Sequence, residues 1–173
     1  MPPRLIHLNG PTGVGKSTLA ARYAADHPLT LNLDADRIVG LVGGWQDDFF
    51  ATVDLVRPLA LTMAAHHLRT GHDVVMPQLI TRRDQRDVLA DAVSSAGARY
   101  VEVVLLAPRT TAITRFEQRD EPIDAVVRAL GGQALIHQVF DDLQQYLTPG
   151  TTVIDNGGLD VEQTYAALLA ALG

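Results

Sequence analysis

The 173-residue chain contains no cysteine. That excludes disulfides, thiolate metal sites and a cysteine nucleophile. Aromatic residues are scarce, at 5%. No apolar run approaches the ~18 residues that a membrane span needs. The segment from Met1 to Gly10 carries one basic residue, Arg4, and an apolar stretch too brief for a secretory leader. The expected compartment is the cytoplasm. Positive charge is in deficit as well, with a formal net charge of −6. This disfavours a polybasic membrane anchor, or long nucleic acid as a partner, and leaves room for a local basic site that takes a small anion. Lysine is nearly absent: of 14 basic residues only Lys16 is lysine.

Hydrophobic residues make up 47% of the chain and charged residues 20%, the composition of one globular domain with a substantial core. Short apolar runs alternate with helical spacing. Strands are expected at Arg4–Asn9, Leu29–Leu33, Asp73–Met76, Tyr100–Leu106 and Thr151–Ile154. Helices are expected at Lys16–Asp26, Asp48–Arg69 (with Pro58 as a candidate kink), Arg83–Ala96, Thr110–Arg119, Ile123–Leu130, Ala134–Leu147 and Val161–Leu172. Arg37 to Trp45 is ambiguous, a helix turn followed by a glycine-containing loop. This alternation calls for an α/β domain, a parallel sheet with helices on both faces.

The strongest local pattern is Gly10-Pro11-Thr12-Gly13-Val14-Gly15-Lys16-Ser17, which fits G-x-x-x-x-G-K-[ST]. Glycines let the backbone wrap a phosphate with its N–H groups turned inward, and the helix that follows adds its positive N-terminus. Lys16 would reach the β- and γ-phosphates, Ser17 would ligate Mg²⁺, and Thr18 could contact the α-phosphate. An apolar strand precedes the loop and a helix follows it, as the pattern requires. ATP and Mg²⁺ are the cofactors expected.

With this loop in place the chain resembles the small P-loop kinases: shikimate and gluconate kinases, chloramphenicol phosphotransferase, adenylylsulfate kinase and AAA family ATPase kinases of similar length. The resemblance spans the whole chain in element order and is specific at the phosphate loop. It implies a P-loop NTPase fold with a five-stranded parallel sheet of order 2-3-1-4-5. It also implies a nucleotide site at the carboxyl ends of the strands and a lid over about residues 115–135. The activity implied is transfer of the γ-phosphoryl of ATP to a hydroxyl of a small acceptor such as an antibiotic, natural product, nucleoside or sugar. A polynucleotide end, a nucleotide sugar, or a purely regulatory nucleotide-binding role are the alternatives. The expected assembly is a monomer or weak homodimer.

Asp34 and Asp36 lie at the end of the second expected strand, where open α/β sheets bind ligands. Two apart on an extended segment, they would face one side. The Leu33-Asp34-Ala35-Asp36 pattern resembles the strand-2 motif of shikimate-kinase-type enzymes. That implies one carboxylate as base or Mg²⁺ holder and the other on the acceptor hydroxyl, with the roles of Asp34 and Asp36 interchangeable.

Arg115 and Arg119, spaced i, i+4, would share a helix face. The resemblance implies that Arg115 packs on adenine and Arg119 approaches the transferring phosphate. A solvated face of a charged helix is the alternative. The resemblance also implies that the stretch Asn156-Gly157-Gly158 borders adenine through its backbone, with an ordinary strand-to-helix turn capped by Asp160 as the alternative. On the acceptor side, Arg37, Trp45, Gln78 and Arg82 are candidate contacts, and one of Phe49 and Phe50 is expected in the core. No carboxylate follows Val74-Val75-Met76, so metal binding would rest on Ser17 and Asp34. His66 and His67 are expected to be structural.

Overall fold

The computed structural model describes residues 2–173. Its sheet has five strands, all parallel, in the order β2-β3-β1-β4-β5. The strands are β1 (Arg4–Asn9), β2 (Leu31–Asn32), β3 (Val74–Pro77), β4 (Arg99–Leu106) and β5 (Val153–Asp155). The helices are α1 (Lys16–Asp26), α2 (Ala35–Val39), α3 (Phe49–Arg69), α4 (Arg83–Ser95), α5 (Arg109–Glu117), α6 (Pro122–Ala129), α7 (Gln133–Tyr146) and α8 (Val161–Leu172). The sheet order implied by the resemblance is the one observed. Among the described residues no helix is long and apolar enough to cross a membrane.

β1 is the central strand, paired with β3 and β4. Its alternation sends Ile6 and Leu8 into a core with α1, α5 and α8, and Leu5 into a second core with α2, α3 and α4. Leu5, Ile6 and Leu8 are all fully buried, each contributing about 1.5–3 kcal/mol of apolar burial. Helix α7 closes the end of the sheet, with Ile136 and Phe140 in the first core and Leu143 and Tyr146 in the second. The second face also holds polar side chains. His7 and Asn9 lie fully buried beside Tyr100, Glu102 and Tyr146.

Element boundaries differ from expectation in three places that matter. The second strand is only Leu31–Asn32, because Leu29 adopts a left-handed φ of 68° that breaks the extended run. Residues 35–39, ambiguous by sequence, form α2. Helix α3 begins at Phe49 because Asp48 caps it, its carboxylate accepting from the Ala51 N–H at 3.1 Å. The same helix runs on through Pro58, which lies on its exposed side. Phe49 packs against the second core, so one of the pair is a core residue as expected, and Phe50 is 65% exposed.

Candidate active site

The loop between β1 and α1 is shaped by close backbone approach. Gly10 has φ 139°, and a Cβ there would stand 2.3 Å from the Leu105 carbonyl oxygen. Gly13 has φ 80°, and a Cβ would stand 2.3 Å from the Ala112 carbonyl. Only glycine fits either place. Helix α1 opens at Lys16 with no side-chain cap and no acidic residue in its first turn. Its first N–H groups are thus left for an external anion.

Lys16 Nζ donates to the carbonyls of Gly10 and Pro11, each at 2.8 Å. Burial pushes its pKa down to about 8, the positive Arg119 adds to this, and Asp36 and Asp34 oppose it. Beside the loop is a cavity of about 540 Å³. It is lined by Gly13 to Leu19, by Arg115, Arg119 and Glu121, and by Asn156, Leu159, Asp160, Val161 and Thr164.

Asp34 and Asp36 meet this site differently from the sequence expectation. They are not two positions of an extended strand. Asp34 caps α2, its Oδ1 accepting from the Asp36 N–H at 3.1 Å, and Asp36 lies within the first turn of that helix. The second oxygen of Asp34 accepts from the Ser17 hydroxyl at 3.0 Å, which ties the strand end to the phosphate loop. Asp36 reaches solvent but is crowded by protein. Burial and the adjacent Asp34 charge push its pKa up to about 6, against the pull of Lys16 and Arg119, and Glu121 adds to the upward push. Three carboxylates (Asp34, Asp36 and Glu121) and two cations therefore share one electrostatic neighbourhood.

Arg115 lies on α5, but Arg119 does not: the helix ends at Glu117, with Gln118 as its C-cap. The expected shared helix face is replaced by a turn in which the Arg119 N–H reaches the Phe116 carbonyl at 3.1 Å. Both arginines still line the cavity. Arg119 pairs with Glu121 at 3.3 Å and with Asp124 at 3.1 Å. Its Nε is buried with no partner. Asp124, only 1% exposed, also accepts from the Glu121 N–H at 3.2 Å, which caps α6. Arg128 reaches the Arg119 carbonyl and Gln133 reaches Glu117, fastening the expected lid segment to α5. Sequence reasoning missed Glu121 and Asp124. The E-P-x-D spacing of a helix start was the available signal.

The β5–α8 turn corrects a second expectation. Asn156 is buried, and its Nδ2 donates to the Val14 carbonyl at 2.7 Å, bracing the phosphate loop. Gly157 and Gly158 do not line the cavity; Leu159 to Val161 and Thr164 do. Gly157 is required instead by packing, since a Cβ would stand 2.3 Å from Pro108 Cδ.

Of the acceptor-side candidates, none lines the cavity. Trp45 packs against the second core. Arg37 is exposed at the end of α2. Arg82 is exposed and paired with Asp84 at 2.6 Å, because it precedes a helix whose first turn carries that acid. Gln78 is half-buried, with its backbone held by Leu8 and by His7. His66 is exposed and His67 bonds the Leu29 carbonyl at 2.8 Å. Among the described residues no group of three His, Cys, Asp or Glu forms a metal cluster. The oxygen pair Ser17 and Asp34 suits Mg²⁺, which takes few protein ligands and completes its shell with phosphates and water.

Solved structures share this architecture. The Deinococcus radiodurans tunicamycin resistance protein aligns over 99% of this chain and 96% of its own, at 20% identity and a TM-score of 0.68. A gluconokinase from Sinorhizobium meliloti 1021 aligns over 99% and 91%, at 17% identity and a TM-score of 0.65. A sugar kinase from Janibacter sp. HTCC2649 aligns over 99% and 95%, at 20% identity and a TM-score of 0.66. No curated protein matches at the level of sequence. At these identities the likeness shows the fold, which is that of the small P-loop kinases. The family model of the AAA domain matches residues 5–135, and the chain belongs to that family.

Proposed function

We propose that this chain is a kinase that moves the γ-phosphoryl group of ATP to a hydroxyl on a small molecule. The observation that carries the reading is the convergence of Asp34 and Asp36 with Lys16 and Arg119 at the open N-terminus of α1. A site that only held nucleotide would need the cations and the loop. It would have no use for a carboxylate with a raised pKa beside them.

In this reading Lys16 leaves the Gly10 and Pro11 carbonyls and takes the β- and γ-phosphate oxygens. Arg119, with its unpartnered Nε, meets the γ-phosphoryl as charge redistributes in the transition state. Ser17 and Asp34 would hold Mg²⁺, which would supply positive charge against the phosphates when bound. Asp34 is committed to Ser17 and to the cap of α2, so Asp36 is the base. A pKa of about 6 leaves it ionised at neutral pH and still basic enough to take a proton. The acceptor oxygen bonds to the γ-phosphorus as its proton passes to Asp36, and the bond from phosphorus to the β-bridging oxygen breaks to release ADP. Catalysis is then positioning and electrostatics, with no covalent enzyme intermediate. Arg115, Leu159 and Val161, which line the cavity, would hold the adenine ring. Structural neighbours named as gluconokinase and sugar kinase support a small hydroxyl-bearing acceptor.

The test is a transfer screen with γ-labelled ATP, Mg²⁺ and pooled alcohols, nucleosides and antibiotics, followed by mass. A labelled product is expected, reduced at least about 100-fold in Asp34→Asn with nucleotide affinity retained. Binding of ATP with no labelled product from any pool, or full transfer in Asp34→Asn, would overturn the reading or its assignment of Asp34.

A further inference from the structure

Asn9, the last residue of β1 and the residue before the phosphate loop, is fully buried. Its Oδ1 accepts from the Gly10 N–H at 2.8 Å and from the Ile80 N–H at 2.9 Å. Its Nδ2 donates to the Ile80 carbonyl and to Glu102, each at 2.8 Å. A primary amide offers two donor hydrogens and two acceptor lone pairs, and here all four are used. Gly10 opens the phosphate loop. Ile80 lies in the β3–α4 connection that also carries Gln78 and Arg82. One side chain therefore splints the two segments together, joining residues 71 apart in sequence.

Two positions earlier on the same face of β1, His7 grips the same connection. Its Nε2 lies 2.8 Å from the Gln78 carbonyl and its Nδ1 2.7 Å from the Tyr100 hydroxyl. Burial lowers the His7 pKa and keeps the ring neutral. With one donor and one acceptor, the ring donates to the carbonyl and accepts from the phenol. Tyr146 donates to Glu102 at 2.6 Å and fixes the far end of the Asn9 amide. The network is built to hold residues 78–80 in register with the phosphate loop.

The phosphate loop has a second restraint, on its other side. Lys16 holds the carbonyls of Gly10 and Pro11. A bound triphosphate competes for that ammonium, so the Gly10 peptide keeps its Asn9 bond on the N–H side and loses its partner on the carbonyl side. Asn9 is a direct hydrogen-bonded link from the first N–H of the loop to Ile80.

We propose that Asn9 is a positioning residue that transmits nucleotide occupancy from the phosphate loop to residues 78–82, so that this connection is held more tightly when ATP is in place. The proposal rests on the reading of the cavity as the nucleotide site.

The test is amide hydrogen exchange with and without AMP-PNP and Mg²⁺, alongside calorimetric measurement of AMP-PNP affinity. The Ile80 N–H, bonded to Asn9, is the direct reporter. In the unmodified protein AMP-PNP is expected to slow exchange at residues 78–82 by about fivefold or more. In Asn9→Ala that slowing should shrink to within about 1.5-fold, while nucleotide affinity stays within about threefold. Tyr100→Phe loosens the same buried network but spares the four Asn9 bonds, and should keep the slowing. The proposal is overturned if bound AMP-PNP leaves residues 78–82 of the unmodified protein unchanged, or if Asn9→Ala shows the same slowing. The first of these needs no variant to fold. Failure of AMP-PNP to bind removes the nucleotide site and this proposal together. Intact coupling without phosphotransfer to any acceptor would sink only the kinase reading.

Discussion

Replacing Asp36 by Asn should make the folded protein more stable while disabling the proposed reaction. Asp36 is crowded by protein and stands beside Asp34, and its pKa is raised from 3.8 to about 6. A shift of that size corresponds to a ceiling of about 3 kcal/mol of destabilisation at neutral pH, at about 1.4 kcal/mol per unit. Asp36 is exposed, so solvent screening reduces the figure to about 1 kcal/mol. Losing a first-turn acid costs about 0.3 kcal/mol on a helix as short as α2.

The folded-state pKa lies above the unfolded one, so the native protein binds more protons between about pH 4 and pH 6, and native stability falls as pH rises through that window. Above about pH 6 Asp36 is charged in both states and the full penalty applies. Near pH 4 the native group is protonated and the penalty has gone. Thermal melts of both proteins across pH 4–8 are the assay. Asp36→Asn should melt about 2–4 °C higher at pH 8 and converge on the unmodified protein toward pH 4. A variant that melts no higher at pH 8, or a difference that does not change with pH, would refute the argument. The same substitution should lower phosphotransfer about 100-fold, as expected where a site holds groups that strain the fold.

Other outcomes follow from the same geometry. Gly13→Ala meets both a positive φ and the Ala112 carbonyl, so it should lose about 3 kcal/mol or more; Gly15→Ala, with φ 88° but nothing within 4 Å, should lose only about 1–2 kcal/mol, as chemical denaturation will measure. Asp124→Ala removes the α6 cap and the buried one of the two carboxylates that pair with Arg119. It should cost about 1–3 kcal/mol and at least about tenfold in transfer rate, and Asp124→Asn should recover the stability but not the rate. The rate of transfer should rise with pH through about 6 as Asp36 loses its proton, and this limb should vanish from the profile of Asp36→Asn.

Some of this was legible because it is local. The phosphate loop is written in consecutive residues whose backbone freedom and charge make the site, and α1 follows it immediately. Alternation of apolar runs with helical spacing gives a parallel sheet without reference to any contact. The ends of the elements were harder. Leu29 in a left-handed conformation and Asp34 as a cap turned an apparent strand into a turn and a helix, and moved Asp36 onto that helix. Arg119 looked helical by spacing and lies beyond the end of α5.

What the sequence alone determined was the cradle, the order of elements and the pool of chemical groups, since each depends on neighbours a few residues away. Tertiary structure decided which of those groups meet. Asn156 braces Val14 across 142 positions, Asn9 reaches Glu102 across 93, and Gly157 yields to Pro108 instead of facing the cavity. The raised pKa of Asp36 arises only when separate elements close on one another, whereas Arg119 and the buried Asp124 meet across a single turn. Burial and charge proximity are properties of the packed molecule, and no spacing along the chain encodes them directly.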